Sequence, residues 1–475
     1  MRVLFGSSEI DPLAKTGGLA DVASSLPKAL FAEGVKISLV MPFYKKFVQK
    51  SGLKITSTNF SIRVNINNKE FSGKFFITSL NGINVYLLEN DDLYDRENLY
   101  GTPEGDFPDN WLRFGFFSYG ILELATILNG IDIIHLNDWQ TALVPLLKLR
   151  KYNNILNNTK TLLSIHNLAY QGTFEKEVLE KLNLGYEDFH MEGVEYYGKV
   201  NFLKAGIVYA DFINTVSPTY AEEIQTPEFG CGLEGILRKR RNVLKGILNG
   251  IDYEVWNPEK DGELYKNFGK SNLIEGKEEN KIGLINEAGL KHAEKPLFGI
   301  VSRLAEQKGF DLFPPIIKEI AQRNLNMVVL GSGDKIYQDM FYEISRKFKN
   351  IFVKIGFDPL LAKKIYASSD FFLMPSKYEP CGLGQLISMR YGTIPVVRAT
   401  GGLKDTVKDV EEGGYGIVFQ KYEPSELLAA IDRAILLYED VEKFKNCVNT
   451  VFSLDYSWGN SAREYKKLYE RILNG

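Results

Sequence analysis

"VLFGSSEIDPLAKTGGLADVASSLPKALFAEGVKISLVM", residues 3–41, decides the fold. It opens on a short apolar run at 3–5 and passes through Lys15-Thr16-Gly17-Gly18. A helix is expected over 19–33, closed by Gly34, and a second β-branched run follows at 35–41. Strand, glycine-marked turn, helix and strand together make a βα unit of a parallel sheet.

Outward from that unit the alternation recurs. Apolar runs stand at 131–136, 161–165 and 212–216, and a second series at 297–301, 327–330, 351–355, 371–374, 394–397 and 416–419. A chain of 475 residues exceeds a single hydrophobic core. The expected fold class is therefore α/β, with two Rossmann-type doubly wound domains facing a central cleft. The stretch "ILNGIDYEVWNPEKDG" at 247–262 holds an Asn-Gly turn and no long helix, which sets the domains at 1–250 and 251–455. Strict alternation at 54–90, with Asn-rich turns, reads as antiparallel strands inserted on the first domain.

Composition excludes several classes of function. The net charge is −3, so no basic field invites nucleic acid, and the run Arg238 to Arg241 reads as a solvated face. The first residues lack the order of a signal peptide, and no run of eighteen apolar residues occurs; a cytoplasmic protein with no membrane partner is expected. Cys231, Cys381 and Cys447 are far apart, and the four histidines show no ligand spacing, so neither a disulfide framework nor a metal site is expected. No Asp-x-Asp triplet stands ready to hold a divalent ion beside a diphosphate. No cofactor is implied, and nothing in the sequence sets an oligomeric state.

In parallel sheets ligands bind beyond the carboxyl ends of the strands. Residues with chemistry fall at those places. Lys15, Gly17 and Gly18 follow the first run; paired glycines allow close backbone approach to a phosphate, although Gly-Gly before a helix also serves a plain turn. Met41-Pro42 stands where a dinucleotide site would need an acid, and G-x-G-x-x-G is missing, which argues against a dehydrogenase. Asp138 and His166 follow the runs at 131–136 and 161–165 as strand-end polar residues, while His135 lies inside its run and reads as a core histidine.

The second half repeats the scheme. Arg303 and Lys308, five residues apart, can converge on one dianionic group. Phe357 can stack on a base, and Glu379 precedes the glycine-rich start Cys381, Gly382, Leu383 and Gly384. Thr400 opens a second Thr-Gly-Gly, at 400–402, echoing the one at 16–18. Two Rossmann-type domains, a basic pair for a diphosphate and no Asp-x-Asp describe a GT-B sugar-nucleotide glycosyltransferase, in which cations and backbone dipoles stabilise the leaving group.

The motifs "KTGGLADV", "HLNDWQTALVP", "SIHNLAYQGTF", "ILNGIDYEVWNP", "VSRLAEQKGFDL", "PSKYEPCGLGQL" and "YGTIPVVRATGGLKDTV", in this order, closely resemble bacterial glycogen synthases and plant starch synthases. The resemblance implies an ADP-glucose donor, an α-1,4-glucan acceptor and a retaining, metal-independent hexosyl transfer. It implies that Lys15, Gly17, Gly18, Asn249, Phe357, Thr400 and the stretch Cys381, Gly382, Leu383, Gly384 meet the nucleotide sugar. Asp138, His166, Arg303, Lys308 and Glu379 would act at the reacting centre, and Tyr94, Asp109 and Asn110 would stand on the acceptor side. A C-terminal helix at 456–475 would cross back to the first domain. Gly384 stands where relatives often carry Thr, Phe357 where Tyr is common, and Ile387 where a second glutamate often stands, so no ribose contact is carried to position 387. A GT-B transferase using UDP-glucose or another acceptor, and a non-catalytic glucan-binding protein, are the alternative readings.

Overall fold

Strand β1 (Arg2–Gly6) is apolar on both faces because it lies in the middle of a parallel sheet, with neighbours on either edge. The structure is a computed structural model and describes residues 1–475 except Pro103. Its chain divides into two units, Met1–Leu248 with Trp458–Gly475, and Asn249–Ser457.

In the first unit, β1 is followed by helix α1 (Gly18–Ala32) and strand β2 (Lys36–Pro42). Then come β3 (Thr56–Ile66), β4 (Lys69–Leu80) and β5 (Ile83–Glu89). Helix α2 (Asn110–Leu128) leads to β6 (Ile133–Asn137), β7 (Lys160–Ile165), β8 (Phe212–Thr215) and β9 (Leu244–Gly246). Among the described residues these strands form one sheet in the order β9-β8-β7-β6-β1-β2-β5-β4-β3.

The alternating segment is not a separate insertion. Its last strand, β5, pairs parallel with β2 and antiparallel with β4, so the main sheet continues into the β3–β4 hairpin. Val85, Tyr86, Leu87 and Leu88 are all buried, a two-sided burial that alternation alone does not announce. Asn67, Asn68 and Asn81 take positive φ in the two tight turns, as asparagine does readily.

Helix α2 is long and apolar enough to cross a membrane by length and composition alone, yet it is a core helix: Arg113 within it is fully buried, together with Phe114, Phe116 and Phe117. The C-terminal helix, Trp458–Asn474, packs on α1 and buries Trp458, Ser461, Ala462, Tyr465, Leu468, Tyr469 and Ile472. A buried polar chain anchors it. Ser164 Oγ donates to Asn214 Oδ1, so it accepts from His135 Nε2 at 2.6 Å. His135 Nδ1 in turn accepts from the Tyr469 hydroxyl at 2.7 Å, and Asn214 Nδ2 donates to Tyr465. Burial pushes the His135 ring down to about 3, so it is neutral in this chain of bonds.

The second unit holds β10 (Leu297–Val301), β11 (Asn326–Gly331), β12 (Ile351–Ile355), β13 (Phe371–Met374), β14 (Ile394–Arg398) and β15 (Ile417–Phe419). Their order is β12-β11-β10-β13-β14-β15, every described pair being parallel. Helix α3 (Leu273–Glu287) is fixed to this sheet by a buried lysine: Lys277 Nζ donates to the carbonyls of Ala367, Ser369 and Tyr391 and to Thr393 Oγ1. Both units thus carry the parallel sheets expected from the alternating runs.

Candidate active site

Each unit presents its chemistry where strands run into loops. In the first unit β1 ends at Gly6 and leads to Glu9, whose side chain is buried at 3 % exposure. Its carboxylate accepts from Thr16 N at 2.5 Å, Thr16 Oγ1 at 2.6 Å, Gly17 N at 3.3 Å and the Tyr100 hydroxyl at 2.6 Å. The N–H groups of Thr16 and Gly17 that open α1 are therefore used within the chain. Lys15 pairs with Asp21 at 2.5 Å and lies 3.9 Å from Asp11. A Cβ built on Gly17 would meet no atom within 4 Å. Packing thus gives no reason for glycine there.

Asp138 follows β6 with φ of +56°, a backbone form in which a non-glycine residue is uncommon. Its Oδ1 accepts from His166 N at 2.7 Å, which ties the ends of β6 and β7 together. Burial pushes the Asp138 carboxyl up to about 7; the N–H groups of His166 and Asn167 oppose the rise, and the Glu9 charge adds to it. Asn137 Nδ2 donates to Gly6 O, so its Oδ1 accepts from His166 Nε2 at 2.9 Å. This bond puts the proton on Nε2 and leaves Nδ1 as an acceptor. Burial holds the His166 ring down to about 4, hence neutral near pH 7.

Tyr94, Asp109 and Asn110 divide into different tasks. Tyr94 is fully buried, and its hydroxyl donates to Arg113 O. Asp109 receives both Arg96 guanidinium nitrogens, and that partner holds its carboxylate below the usual range although burial alone would raise it. Asn110 lines a cavity. That cavity, of about 610 Å³, is lined by Phe107, Asn110, Trp139, Tyr170, Phe174 and Tyr196 among others. Aromatic rings share its lining with the polar residues Asp106, Gln171 and Thr173, the mixture usual in small-molecule sites. The Trp139 signal was present in "LNDW", next to Asp138; Tyr170, Phe174 and Tyr196 come from loops whose convergence no local pattern encodes.

In the second unit the loop after β10 carries Arg303 and Lys308, and the loop after β13 carries Glu379. Lys308 Nζ donates to Glu379 Oε2 at 2.6 Å and Ser376 Oγ donates to the same oxygen at 3.0 Å. Arg303 donates to Gln307 on its own loop. Glu379 leads into Cys381, buried, with burial pushing its thiol up to about 12 and the Asn249 N–H opposing that rise. Asn249 is 6 % exposed, and its Oδ1 has no hydrogen-bond partner among the described residues. Such an unpartnered buried amide oxygen is uncommon, and this one lies beside the loop that carries Glu379. Gly382 takes φ of +74°, Leu383 caps helix α4 (Gly384–Arg390), and a Cβ on Gly384 would stand 2.9 Å from Phe372 Cε1. Phe357 projects from the end of β12 and is 89 % exposed. Ile387 is buried in the unit's core.

The second Thr-Gly-Gly has a different use from the first. Thr400 is fully buried and precedes helix α5 (Gly401–Thr406), while Gly402 N donates to the carbonyls of Glu379 and Pro380. A Cβ on Gly401 would stand 2.0 Å from Glu379 O and one on Gly402 2.1 Å from Cys381 O. These glycines let the loop carrying Glu379 lie directly on the start of α5.

The first unit matches the family model described as starch synthase catalytic domain over residues 2–239. The second matches glycosyl transferases group 1 over residues 284–449. A glycogen synthase of Geotalea uraniireducens is 47 % identical over 481 residues, covering 100 % of this chain and 99 % of the relative. The chain belongs to the glycogen and starch synthase family. A glycogen synthase of Aquifex aeolicus is likewise 47 % identical, with 99 % of each chain covered. Among solved structures, the catalytic domain of starch synthase IV from Arabidopsis thaliana, bound to ADP and acarbose, matches with a TM-score of 0.91 at 34 % identity, covering 100 % of this chain and 99 % of that one. Sucrose-phosphate synthase from Thermosynechococcus elongatus shares the fold, with a TM-score of 0.61 at 16 % identity over 100 % of this chain and 99 % of that one. As a glycogen/starch synthase with the GT-B fold, the protein is a glycosyltransferase that takes a nucleotide-sugar donor and a glucan acceptor.

Proposed function

We propose that the chain transfers glucose from ADP-glucose to the non-reducing end of an α-1,4-glucan, with retention at the anomeric carbon and without a metal ion. The observation that carries this reading is the Lys308–Glu379 pair at 2.6 Å, held on loops at two strand ends of the second unit. Lys308 with Arg303 takes the diphosphate and stabilises the charge that ADP gains on leaving. Glu379 and the Asn249 amide take glucose hydroxyls, and the backbone of Cys381, Gly382, Leu383 and Gly384 meets the sugar and phosphates. The exposed Phe357 ring stacks on adenine; ADP in the Arabidopsis relative supports that choice of base.

From the first unit, Lys15, Gly17 and Gly18 approach the donor's phosphate. Neutral His166 offers Nδ1 as acceptor to a glucose hydroxyl, and Asp138 stands at the acceptor side. The aromatic pocket of Trp139, Phe174 and Tyr196 seats the glucan chain. In the transfer, the bond from the anomeric carbon to the diphosphate oxygen breaks. A bond to the acceptor's O4 forms on the same face, and the O4 proton passes to the departing diphosphate. This front-face course is supported by Glu379 itself: its Oε2 is tied to Lys308 and Ser376, which suits holding a hydroxyl better than attacking carbon. Incubation with ADP-[14C]glucose and glycogen, followed by β-amylase, tests the reading. Labelled maltose is expected; label that β-amylase cannot release would contradict the linkage or the end. A glucosyl adduct trapped on Glu379 would overturn the front-face course.

A further inference from the structure

Glu9 is a buried acid whose four donors are N–H and O–H groups of uncharged residues. Burying a carboxylate is costly unless hydrogen bonds replace its water. Here they do so with a fixed geometry: Oε2 takes Thr16 N and Gly17 N, while Oε1 takes Thr16 Oγ1 and the Tyr100 hydroxyl. The Glu9 backbone is itself fixed by Ser7, whose Oγ donates to Glu9 O at 2.7 Å. From Tyr100 the chain of bonds runs on. Its hydroxyl also meets Ser8 Oγ at 2.8 Å, and its carbonyl accepts from Asn110 Nδ2 at 2.9 Å. Asn110 Oδ1 accepts from Arg113 Nη1 at 2.7 Å, and Asn110 lines the aromatic pocket. One carboxylate therefore joins the Thr16–Gly17 turn to Tyr100, whose backbone carbonyl in turn holds Asn110 in the pocket wall.

We propose that Glu9 is a positioning residue for glucosyl transfer, fixing the Lys15–Gly18 turn on one side and, through Tyr100 and Asn110, the acceptor pocket on the other. This rests on the reading that the turn meets the donor and the pocket the acceptor. Glu9 needs no contact with either substrate: by accepting the first two N–H groups it sets where Gly17, Gly18 and Lys15 stand. Near-attack geometry is sensitive to displacements of about 1 Å, which cost on the order of 100-fold in rate. The role is one of acceptor geometry. A glutamine at this position can accept from the two backbone N–H groups through its oxygen and donate to the two hydroxyls, which can rotate to accept.

The test uses the full chain and steady-state kinetics with ADP-glucose and glycogen, alongside thermal melting. Glu9→Ala is expected to lower kcat about 10- to 100-fold and raise the donor KM. Glu9→Gln is expected to restore most of both. Tyr100→Phe, which cuts the Glu9 link toward the pocket and the Ser8 contact but leaves Thr16 and Gly17 on Glu9, is expected to raise the acceptor KM with the donor KM unchanged. If Glu9→Ala does not fold, Thr16→Val and Tyr100→Phe still separate the two arms. Kinetic constants within twofold of wild type in folded Glu9→Ala, or in both single-arm variants, overturn the inference. So does a Glu9→Gln as slow as Glu9→Ala, since the charge would then be what acts. Lys15→Ala distinguishes the underlying reading: an unchanged donor KM there removes the turn from the donor site, whereas a raised one beside an inert Glu9→Ala removes only the role of Glu9.

Discussion

Lys308 Nζ lies 2.6 Å from Glu379 Oε2, joining a cation from the loop after β10 to an acid from the loop after β13. The pair fixes both groups at one end of the second unit's sheet. Replacing Lys308 by Ala removes a cation meant for the leaving diphosphate; kcat should fall about 10²- to 10³-fold. The melting temperature should fall as well, because the buried Glu379 carboxylate keeps the Ser376 hydroxyl but loses its cation. Turnover near wild type would mean the diphosphate is held elsewhere.

The two Thr-Gly-Gly elements predict opposite phenotypes. Gly17→Ala puts its Cβ in open space, so melting should be unchanged while the donor KM rises. Gly402→Ala would press a Cβ to 2.1 Å from Cys381 O, and the loop carrying Glu379 must shift. That variant should lose both stability and turnover. Melting curves with donor titrations distinguish them; equal loss of stability in both would refute the division of labour.

Asp138 gives a pH dependence with a definite sign. Burial first, and the Glu9 charge last, raise its carboxyl from 3.8 to about 7, against the pull of two backbone N–H groups. Between those values the folded chain binds more protons than the unfolded one, so the group's stabilisation is complete below about pH 4 and is lost as pH rises through 7. The melting temperature of wild type relative to Asp138→Asn should therefore fall between pH 4 and 7.5. A constant difference across that range would show that Asp138 titrates normally.

The C-terminal helix is held by the polar chain through His135. Tyr469→Phe leaves His135 Nδ1 buried without its donor, and unfolding in urea should show a loss of about 1–3 kcal/mol. An unchanged midpoint would mean that the apolar face alone seats the helix.

Much of this was legible in the residues. Parallel strands hide in short apolar runs, and the rule that ligands meet strand ends picked out Asp138, His166, Lys308 and Glu379 before any geometry. Glu9 was missed although it too follows a strand end, because "SSEI" gives no hint that the carboxylate will fold back onto Thr16. Tyr94 shows what a local motif leaves open: it gives neighbours in sequence but not where the ring points, and here the hydroxyl ends on Arg113 O. The role of Gly401 and Gly402 depends on which backbone lies against them, a tertiary fact absent from any Gly-Gly pair.

The central claim is glucosyl transfer from ADP-glucose to an α-glucan, and donor competition tests it most directly. With glycogen as acceptor and labelled glucose in each donor in turn, label should enter the polymer from ADP-glucose, with UDP-glucose much slower. Faster transfer from UDP-glucose, or no transfer from either donor by folded protein, would contradict it.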